Sequence, residues 1–345
     1  MKYIIDESNM YQAILDFPKQ IKYSLDNFKE NYITDKGLDE YKNINKILIL
    51  GMGGSAISGL LIKEILDMES CIPTFVNQNY TIPKWVDRNT LVIASSYSGN
   101  TEETLTACNE CINKNAEIIA VSTGGHLIEL LDNKNYIKLP KGMQPRAALG
   151  YSFSSILLLL HNLKLIDRNI NSELTESLPY LTKKTKIYSD KDNNNEAILI
   201  ASKINKKTPI IYAQQGVFNI LGYRFKCQLA ENSKILSFNN MIPEMNHNEI
   251  EAFYSNNSFD NYCLIWLEDN SYHKKNIERF KVTSEILKKN TKNQISINLN
   301  GEHPNMLCTY LEYIILFDWI SFYCAINNDV DPTIIPNINN LKSLL

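Results

Sequence analysis

The sequence lacks the marks of a secreted, membrane-spanning or nucleic-acid-binding protein. Its first residues, MKYIIDESNMYQAI, place acidic side chains where a signal peptide has its apolar core, and no apolar run suggests a bilayer span. It also has no block of Lys or Arg, and its 35 basic and 38 acidic residues give a net charge of −3. We therefore expect a cytoplasmic protein with no nucleic-acid or membrane partner. An anionic ligand would have to be held by a local pocket rather than attracted by the field of the whole molecule.

A disulfide framework is also missing. The seven cysteines are an odd number scattered through apolar contexts, which is typical of reduced, buried thiols. Cys108 and Cys111 form a CxxC pair, but neither a second cysteine pair nor a nearby histidine completes a zinc site. The pattern favours a packing role over metal or redox chemistry, and we predict no metal and no cofactor.

The 345 residues are enough for two domains. Short apolar segments rich in β-branched residues alternate with helical patterns, and this order predicts an α/β fold with mostly parallel, doubly wound, flavodoxin-like sheets flanked by helices. We place the first domain at 1–150 and the second at 151–345, because PKGMQPRA at 140–147 is the clearest break in periodicity. An amphipathic helical stretch is expected over 1–42. The predicted strands are 46–50, 73–77, 90–94, 117–122, 136–139, 209–213, 234–237, 262–267 and 294–299.

The stretch ASSYSGNTEETL, at 94–105, joins an apolar strand to an acidic helix start. Hydroxyl side chains, free backbone N–H groups and the positive end of a helix dipole would converge at this joint, which suits a phosphate group. The alternative is that Asn100 only caps the helix, with Glu103 completing a capping box. The stretch alone does not decide between the two.

A second turn, GMGGSA at 51–56, also follows a strand and opens a helix. It matches a loose dinucleotide-binding pattern, but such a site needs an acid at the end of the next strand, where this chain has Asn77, Gln78 and Asn79. The missing acid argues against NAD. The glycines could serve only to permit tight turning, yet Ser55 adds a hydroxyl donor. Two such turns at the carboxyl ends of neighbouring parallel strands favour phosphate binding.

Four motifs carry a resemblance to a known family. GMGGSAISG, SSYSGNTEET, QPRAALGYS and PEMNHNEIEAF occur in this order and closely resemble the bifunctional phosphoglucose/phosphomannose isomerase family of sugar isomerase (SIS) domain proteins. The similarity runs from DFPKQ near the N-terminus to DVDPT near the C-terminus. SSYSGNTEET indicates only a SIS domain, whereas QPRAALG and PEMNHNEI are more particular to this family. The resemblance implies two SIS-type domains.

The resemblance also implies which residues bind and convert the substrate. The sugar phosphate would be bound by the two turns and by a threonine of the tail: Gly54, Ser55, Ser96, Ser98, Thr101 and Thr333. The catalytic residues would be the proton-transfer glutamate, the ring-opening histidine, an arginine beside the enediolate and a lysine near the C-terminus: Glu231, His247, Arg146 and Lys342.

The residue types suit an aldose-ketose isomerase acting on glucose 6-phosphate, fructose 6-phosphate and mannose 6-phosphate. A carboxylate can carry the proton between C2 and C1, a neutral imidazole can exchange protons during ring opening, and a guanidinium can stabilise enediolate charge. From the residues alone, Glu231 could instead be a surface acid, His247 a cap, Arg146 an ion-pair partner and Lys342 a solvated charge. One departure is Ala230, which precedes Glu231 where the family has Asn.

Two further expectations concern partners. The resemblance implies a homodimer, with the active site near the domain and subunit interfaces. The alternative function is a non-enzymatic phosphosugar-binding SIS regulator, although regulators usually carry a DNA-binding helix-turn-helix and a basic surface, and the sequence suggests neither.

Overall fold

The computed structural model describes residues 3–191, 194–254, 259–299 and 301–344. It divides the chain into two compact units, Asp16–Leu178 (the N-terminal unit) and Met1–Leu15 with Pro179–Leu345 (the C-terminal unit). The division therefore falls inside the helix Ile170–Ser189, not at the expected boundary after residue 150. The helix Leu149–Asn162 belongs to the N-terminal unit because it packs on the helices Phe17–Asn31 and Gly53–Glu69.

The elements alternate between strand and helix along most of the chain. The helices are α1 (Met10–Leu15), α2 (Phe17–Asn31), α3 (Gly53–Glu69), α4 (Glu102–Asn113), α5 (His126–Leu130), α6 (Leu149–Asn162), α7 (Ile170–Ser189), α8 (Glu196–Ile204), α9 (Val217–Ser233), α10 (Lys274–Leu287), α11 (Met306–Asn327) and α12 (Pro336–Leu344). The strands are β1 (Tyr32–Ile33), β2 (Lys46–Leu50), β3 (Thr74–Asn77), β4 (Thr90–Ser95), β5 (Glu117–Ser122), β6 (Tyr136–Lys138), β7 (Thr208–Gln214), β8 (Phe238–Ile242), β9 (Tyr262–Leu267) and β10 (Gln294–Ile297). Short 3₁₀ helices occupy Leu38–Tyr41, Pro145–Ala147, Glu244–His247 and Glu249–Tyr254.

The N-terminal unit contains a sheet with the strand order β1-β6-β5-β4-β2-β3. Its pairs are parallel except β1 with β6, and Leu50 at the end of β2 is in register with Ala94 near the end of β4. All residues of β4 are buried, as expected for a strand covered on both faces. The chain passes from β2 to β3 on one side and to β4 on the other, so the two carboxyl ends form a topological switch point. The mostly parallel, doubly wound α/β prediction is confirmed.

The expected helical stretch over 1–42 is only partly present. Helix α2 ends at Asn31, and Tyr32 and Ile33 then pair with Ile137 and Tyr136 as an antiparallel edge strand. This pairing is between residues about a hundred positions apart, so no local periodicity could indicate it. The prediction of a helix through residue 42 was therefore wrong from Tyr32 onward.

The C-terminal unit contains a parallel sheet of order β10-β9-β7-β8. Helix α11 packs against α1, α8 and α9. Helix α11 is mostly apolar and is buried from Leu307 to Ala325. It is long and apolar enough to cross a membrane, contrary to the expectation that no such run exists. Its most apolar stretch is entirely buried inside the unit, as is typical of a core helix.

The predicted strand 234–237 was wrong. Lys234 instead adopts the left-handed conformation, with φ of 58°, and closes α9. Its ammonium group donates to the carbonyl oxygens of Glu231, at 2.9 Å, and of Asp331, at 2.7 Å. Strand β8 therefore begins only at Phe238.

Buried polar pairs join α9 to α11. The guanidinium of Arg224 donates to both carboxylate oxygens of Asp318, at 2.7 and 2.9 Å, and Gln228 donates to the same carboxylate at 2.6 Å. Asn232 Nδ2 donates to Ser321 Oγ at 3.0 Å, one helical turn further along α11. A charge pair this deeply buried is stable only when its hydrogen-bond geometry is good, because loss of either partner leaves the other charge buried and unpaired. These contacts fix the rotation of α9 about its axis.

Candidate active site

The two predicted phosphate-binding turns lie side by side in the N-terminal unit. β2 and β4 are neighbouring parallel strands, and each turn follows one of them at the same edge of the sheet. Their backbones nearly touch, because a Cβ placed on Gly51 would lie 3.0 Å from the carbonyl oxygen of Ser95. The juxtaposition predicted from the sequence is therefore present.

Within the turn 96–101, hydroxyl groups face one another. The Ser96 and Thr101 hydroxyls are 2.8 Å apart, and Ser96 Oγ also accepts the backbone N–H of Gly99 at 3.1 Å. Ser96 is buried, whereas Ser98 is exposed and accepts the N–H of Asn100 at 3.2 Å. The turn thus carries an inner pair of hydroxyls, Ser96 and Thr101, and an outer one, Ser98.

The capping role considered for Asn100 is wrong. The residue that precedes α4 as its N-cap is Thr101, and the Thr101 side chain makes no capping hydrogen bond. Asn100 instead uses its Oδ1 to accept the N–H of His126, at 3.0 Å, at the start of α5. Because neither side chain caps α4, the amino end of that helix keeps its capacity to bind an anion.

Gly99 holds this turn against the loop after β5. Its φ is 73°, and a Cβ built on it would lie 1.7 Å from the carbonyl oxygen of Gly124. No L-amino acid side chain fits at that distance, and a positive φ adds backbone strain. Glycine is therefore required at this position by contact as well as by conformation.

Arg146 lies beside the first turn. It belongs to the 3₁₀ helix Pro145–Ala147 and is buried, with 5% of its surface exposed. A Cβ on Gly54 would lie 3.0 Å from the carbonyl oxygen of Pro145 and 3.3 Å from the Cα of Arg146. Ser55, at the start of α3, is buried as well. The structure thus brings the predicted Gly54, Ser55 and Arg146 into one region.

Tyr97 is a residue that the sequence reasoning missed. Its hydroxyl donates to the carbonyl oxygen of Pro140 at 2.8 Å and accepts the N–H of Met143 at 3.2 Å. Burial raises the pKa of this phenol, so it stays a neutral donor. Tyr97 therefore links the phosphate turn to the segment 140–150 (the Arg146 segment). In the sequence, only its position between Ser96 and Ser98 could have indicated that Tyr97 belongs to the site.

Glu231 and Thr333 occur together in the C-terminal unit. Glu231 lies in the last turn of α9 and is partly exposed, while the preceding Ala230 is exposed. The Lys234 bridge described above joins this turn to Asp331, whose carboxylate accepts the N–H of Thr333 at 2.7 Å. Thr333 is buried. The tail that carries Thr333 is thus held beside the glutamate's end of α9.

His247 lies at the opposite end of the strands of this sheet from Glu231. It ends the 3₁₀ helix Glu244–His247 after the carboxyl end of β8, and it is exposed. Helix α9 begins after the carboxyl end of β7 and runs back to the amino end of β8. From Val217 to Glu231 the helix rises about 21 Å. One copy of the chain therefore does not bring Glu231 and His247 together.

The peptide that bears His247 is held in place by its neighbour Glu249. The Glu249 carboxylate accepts the hydroxyl of Tyr212 at 2.6 Å and the side-chain amide of Asn240. Tyr212 and Asn240 belong to β7 and β8, so the segment is fixed to the sheet. Lys342, by contrast, lies on α12, none of whose described residues is buried.

The geometry also bears on the alternative cofactors. Asn77 ends β3 with its side-chain amide donating to the carbonyl oxygen of Asn79 at 2.9 Å, so its side chain is engaged in a local turn. Cys108 and Cys111 are fully buried, and burial raises the pKa of each thiol to about 12, which disfavours the thiolate that metals and disulfide chemistry need. Among the described residues no group of three metal-ligating side chains occurs.

Comparison with protein families defines the class. Residues 40–164 match the SIS domain, and residues 193–345 match the bacterial phospho-glucose isomerase C-terminal SIS domain. Among solved structures, the fold is similar to the C-terminal domain of glucosamine-fructose-6-phosphate aminotransferase from Francisella tularensis, with a TM-score of 0.72, 15% identity, and coverage of 94% of this chain and 97% of that one. The protein is a SIS-domain protein with two such domains.

Curated relatives narrow the class to a family. The chain is 36% identical to a bifunctional phosphoglucose/phosphomannose isomerase from Caldicellulosiruptor bescii, over 97% of this chain and 98% of the relative. It is 34% identical to a protein of the same name from Thermoplasma acidophilum, over 86% of this chain and 89% of the relative. The chain belongs to the bifunctional phosphoglucose/phosphomannose isomerase family.

The contact at Gly99 yields a prediction. Gly99→Ala places a methyl group where Gly124 already stands, so we expect the free energy of unfolding to fall by about 2–4 kcal/mol. Denaturant unfolding of the purified protein measures it. Gly37→Ala is the matched control, because that glycine has a φ of −86° and no atom lies within 4 Å of its built Cβ. Equal stability of the two variants would contradict the required close contact.

Proposed function

We propose that the protein is an aldose-ketose isomerase that interconverts glucose 6-phosphate with fructose 6-phosphate, and mannose 6-phosphate with fructose 6-phosphate. The observation that carries the proposal is the meeting of two hydroxyl-bearing turns with the Arg146 segment at one edge of the N-terminal sheet. Family membership supports the choice of substrates. We place the activity in the cytoplasm.

The phosphate would bind at the two turns. Ser96, Ser98, Thr101 and Ser55 supply hydroxyl donors, and Gly54 brings the start of α3 close to the Arg146 segment. An anion there gains from backbone N–H groups and from the dipoles of α3 and α4. Because the net charge of the chain is negative, this local arrangement has to supply the attraction.

The reaction moves one proton between two neighbouring carbons. A cyclic sugar first opens by proton exchange at its ring oxygen and anomeric hydroxyl, the role proposed for His247. Glu231 then takes the proton from C2 of the aldose and returns it to C1, through a cis-enediol. Arg146 would stabilise the negative charge that develops on the enediolate oxygens. Lys342 and Thr333 are proposed to contact the sugar from the tail.

Use of both aldoses requires one further motion. Glucose 6-phosphate and mannose 6-phosphate differ only at C2, so they share one enediol. If the enediol turns about its C2–C3 bond, one carboxylate can deliver the proton to either face of C2. A single base then serves both reactions, and no step of this sequence calls for a metal or a redox cofactor.

We further propose that the active protein is a homodimer. Glu231 lies about 21 Å along α9 from the carboxyl ends of the strands, where His247 lies. A second copy related by a two-fold axis supplies a second His247, and such symmetry is the commonest among oligomers. Each catalytic centre would then use the glutamate of one copy and the histidine of the other.

Glu231→Gln separates the enzyme from a phosphosugar-binding regulator. Loss of the base should lower kcat by about 10²–10⁴-fold, while fructose 6-phosphate still binds, because the phosphate turns are untouched. Turnover is followed by a coupled assay and binding by calorimetry. Glu285→Gln, which changes an exposed acid on α10, is the control and should match the parent protein. If the parent protein binds sugar phosphate but shows no turnover, the regulator is the correct reading.

Mixed dimers test the shared site. Glu231→Gln and His247→Ala chains, each inactive alone, are co-expressed with different tags and purified through both. If the sites are shared, each mixed dimer keeps one intact centre and shows about half of the parent kcat per dimer. Dimers purified with two differently tagged Glu231→Gln chains are the control. Mixed dimers as inactive as this control would refute the sharing of His247.

A further inference from the structure

Gln20 is a buried polar side chain on the apolar face of α2. Only 1% of its surface is exposed, and Phe17 and Ile21 on the same face are buried as well. An amide at such a position is costly unless both of its ends form hydrogen bonds. The partners of Gln20 are therefore informative.

Both ends of the amide bind the Arg146 segment. Nε2 donates to the carbonyl oxygen of Ala147 at 2.7 Å and lies 3.8 Å from the sulfur of Met143. Oε1 accepts the backbone N–H of Gly150 at 3.1 Å. The two strong bonds therefore hold residues one and four positions after Arg146.

The bond to Gly150 replaces a missing helix cap. Ala148, the N-cap of α6, has no side chain that can accept a hydrogen bond, so the first N–H groups of the helix need another acceptor. Gln20 provides one from a helix about 130 residues earlier in the chain. Gly150 permits the approach, since a Cβ there would lie 2.8 Å from Gln20 Oε1 and 2.9 Å from Gln20 Cβ.

The segment is also held from its other side. Tyr97 binds Pro140 and Met143, and the backbone at Pro145 lies so near Gly54 that a Cβ built there would be 3.0 Å from the Pro145 carbonyl oxygen. The hydrogen bonds from Gln20 to Ala147 and Gly150 hold the segment after Arg146. The backbone from which the Arg146 side chain extends is thus fixed on both sides.

We propose that Gln20 is a positioning residue for the isomerase reaction. It sets the backbone at Arg146, and hence the place of the guanidinium, through Ala147 and Gly150. The inference rests on the proposed function, in which Arg146 stabilises the enediolate. Displacement of a charge-stabilising group by about 1 Å is enough to cost up to 10²-fold in rate.

Gln20→Leu tests the proposal, with Ser24→Ala as the matched control. Ser24 lies one turn further along α2, is equally buried, and donates to the carbonyl oxygen of Tyr151, within α6. We expect Gln20→Leu to lower kcat/KM by about 10–10²-fold, mainly through kcat. Ser24→Ala should stay within about twofold of the parent protein, since surrounding contacts keep the segment in place.

A double-mutant cycle distinguishes positioning from general support. In an Arg146→Ala background no guanidinium remains to be displaced, so Gln20→Leu should change kcat/KM by less than about twofold. Single-turnover measurements with enzyme in excess keep these slow variants measurable. If Gln20→Leu fails to fold, Gln20→Met replaces it, because Met is close to Gln in length and removes both hydrogen bonds without burying a charge.

Two results would overturn the inference: a Gln20 variant as active as Ser24→Ala, or a loss of the same size with and without Arg146. Either leaves the proposed function intact as long as the parent protein isomerises fructose 6-phosphate. A parent protein without that turnover would instead remove the proposed function itself, whatever the Gln20 variants do.

Discussion

Close contact between backbones at the carboxyl edge of the N-terminal sheet is the constraint on which the candidate site depends. A Cβ built on Gly99 would lie 1.7 Å from the carbonyl oxygen of Gly124, and one built on Gly51 or Gly54 would lie 3.0 Å from that of Ser95 or Pro145. The two hydroxyl-bearing turns therefore lie side by side. A side chain at Gly99 would push its turn away from Gly124.

The other predicted site residues are held by two separate sets of contacts. Tyr97 belongs to the turn 96–101 and also binds the Arg146 segment, so the residues proposed to bind phosphate and to stabilise charge share one support. Glu231 has a separate support, because the buried Arg224–Asp318 pair fixes helix α9, which carries Glu231. The turns proposed to bind phosphate and the glutamate proposed to transfer the proton therefore lie in different units of the chain, each with its own buried polar contacts.

The sequence predicted those parts of the fold that local pattern determines. β2, β5 and β9 have the bounds that their apolar runs indicate, and the two turns lie together because parallel strands end at a common edge. Features that depend on partners distant in the sequence could not be predicted from local pattern. The edge strand β1, the reversal at Lys234 and the cap that Gln20 gives to α6 each involve residues far apart in sequence. Asn100 looked like a cap for α4, yet its partner is His126 on the next helix.

The central claim is that a proton moves through an enediol shared by two aldoses. Fructose 6-phosphate incubated with the purified protein in D₂O and followed by NMR tests it most directly. The account predicts that both glucose 6-phosphate and mannose 6-phosphate form and that deuterium accumulates at C2 of each, since the carboxylate proton exchanges with solvent. Formation of neither aldose, or of aldoses that retain only hydrogen at C2 after prolonged incubation, would contradict it.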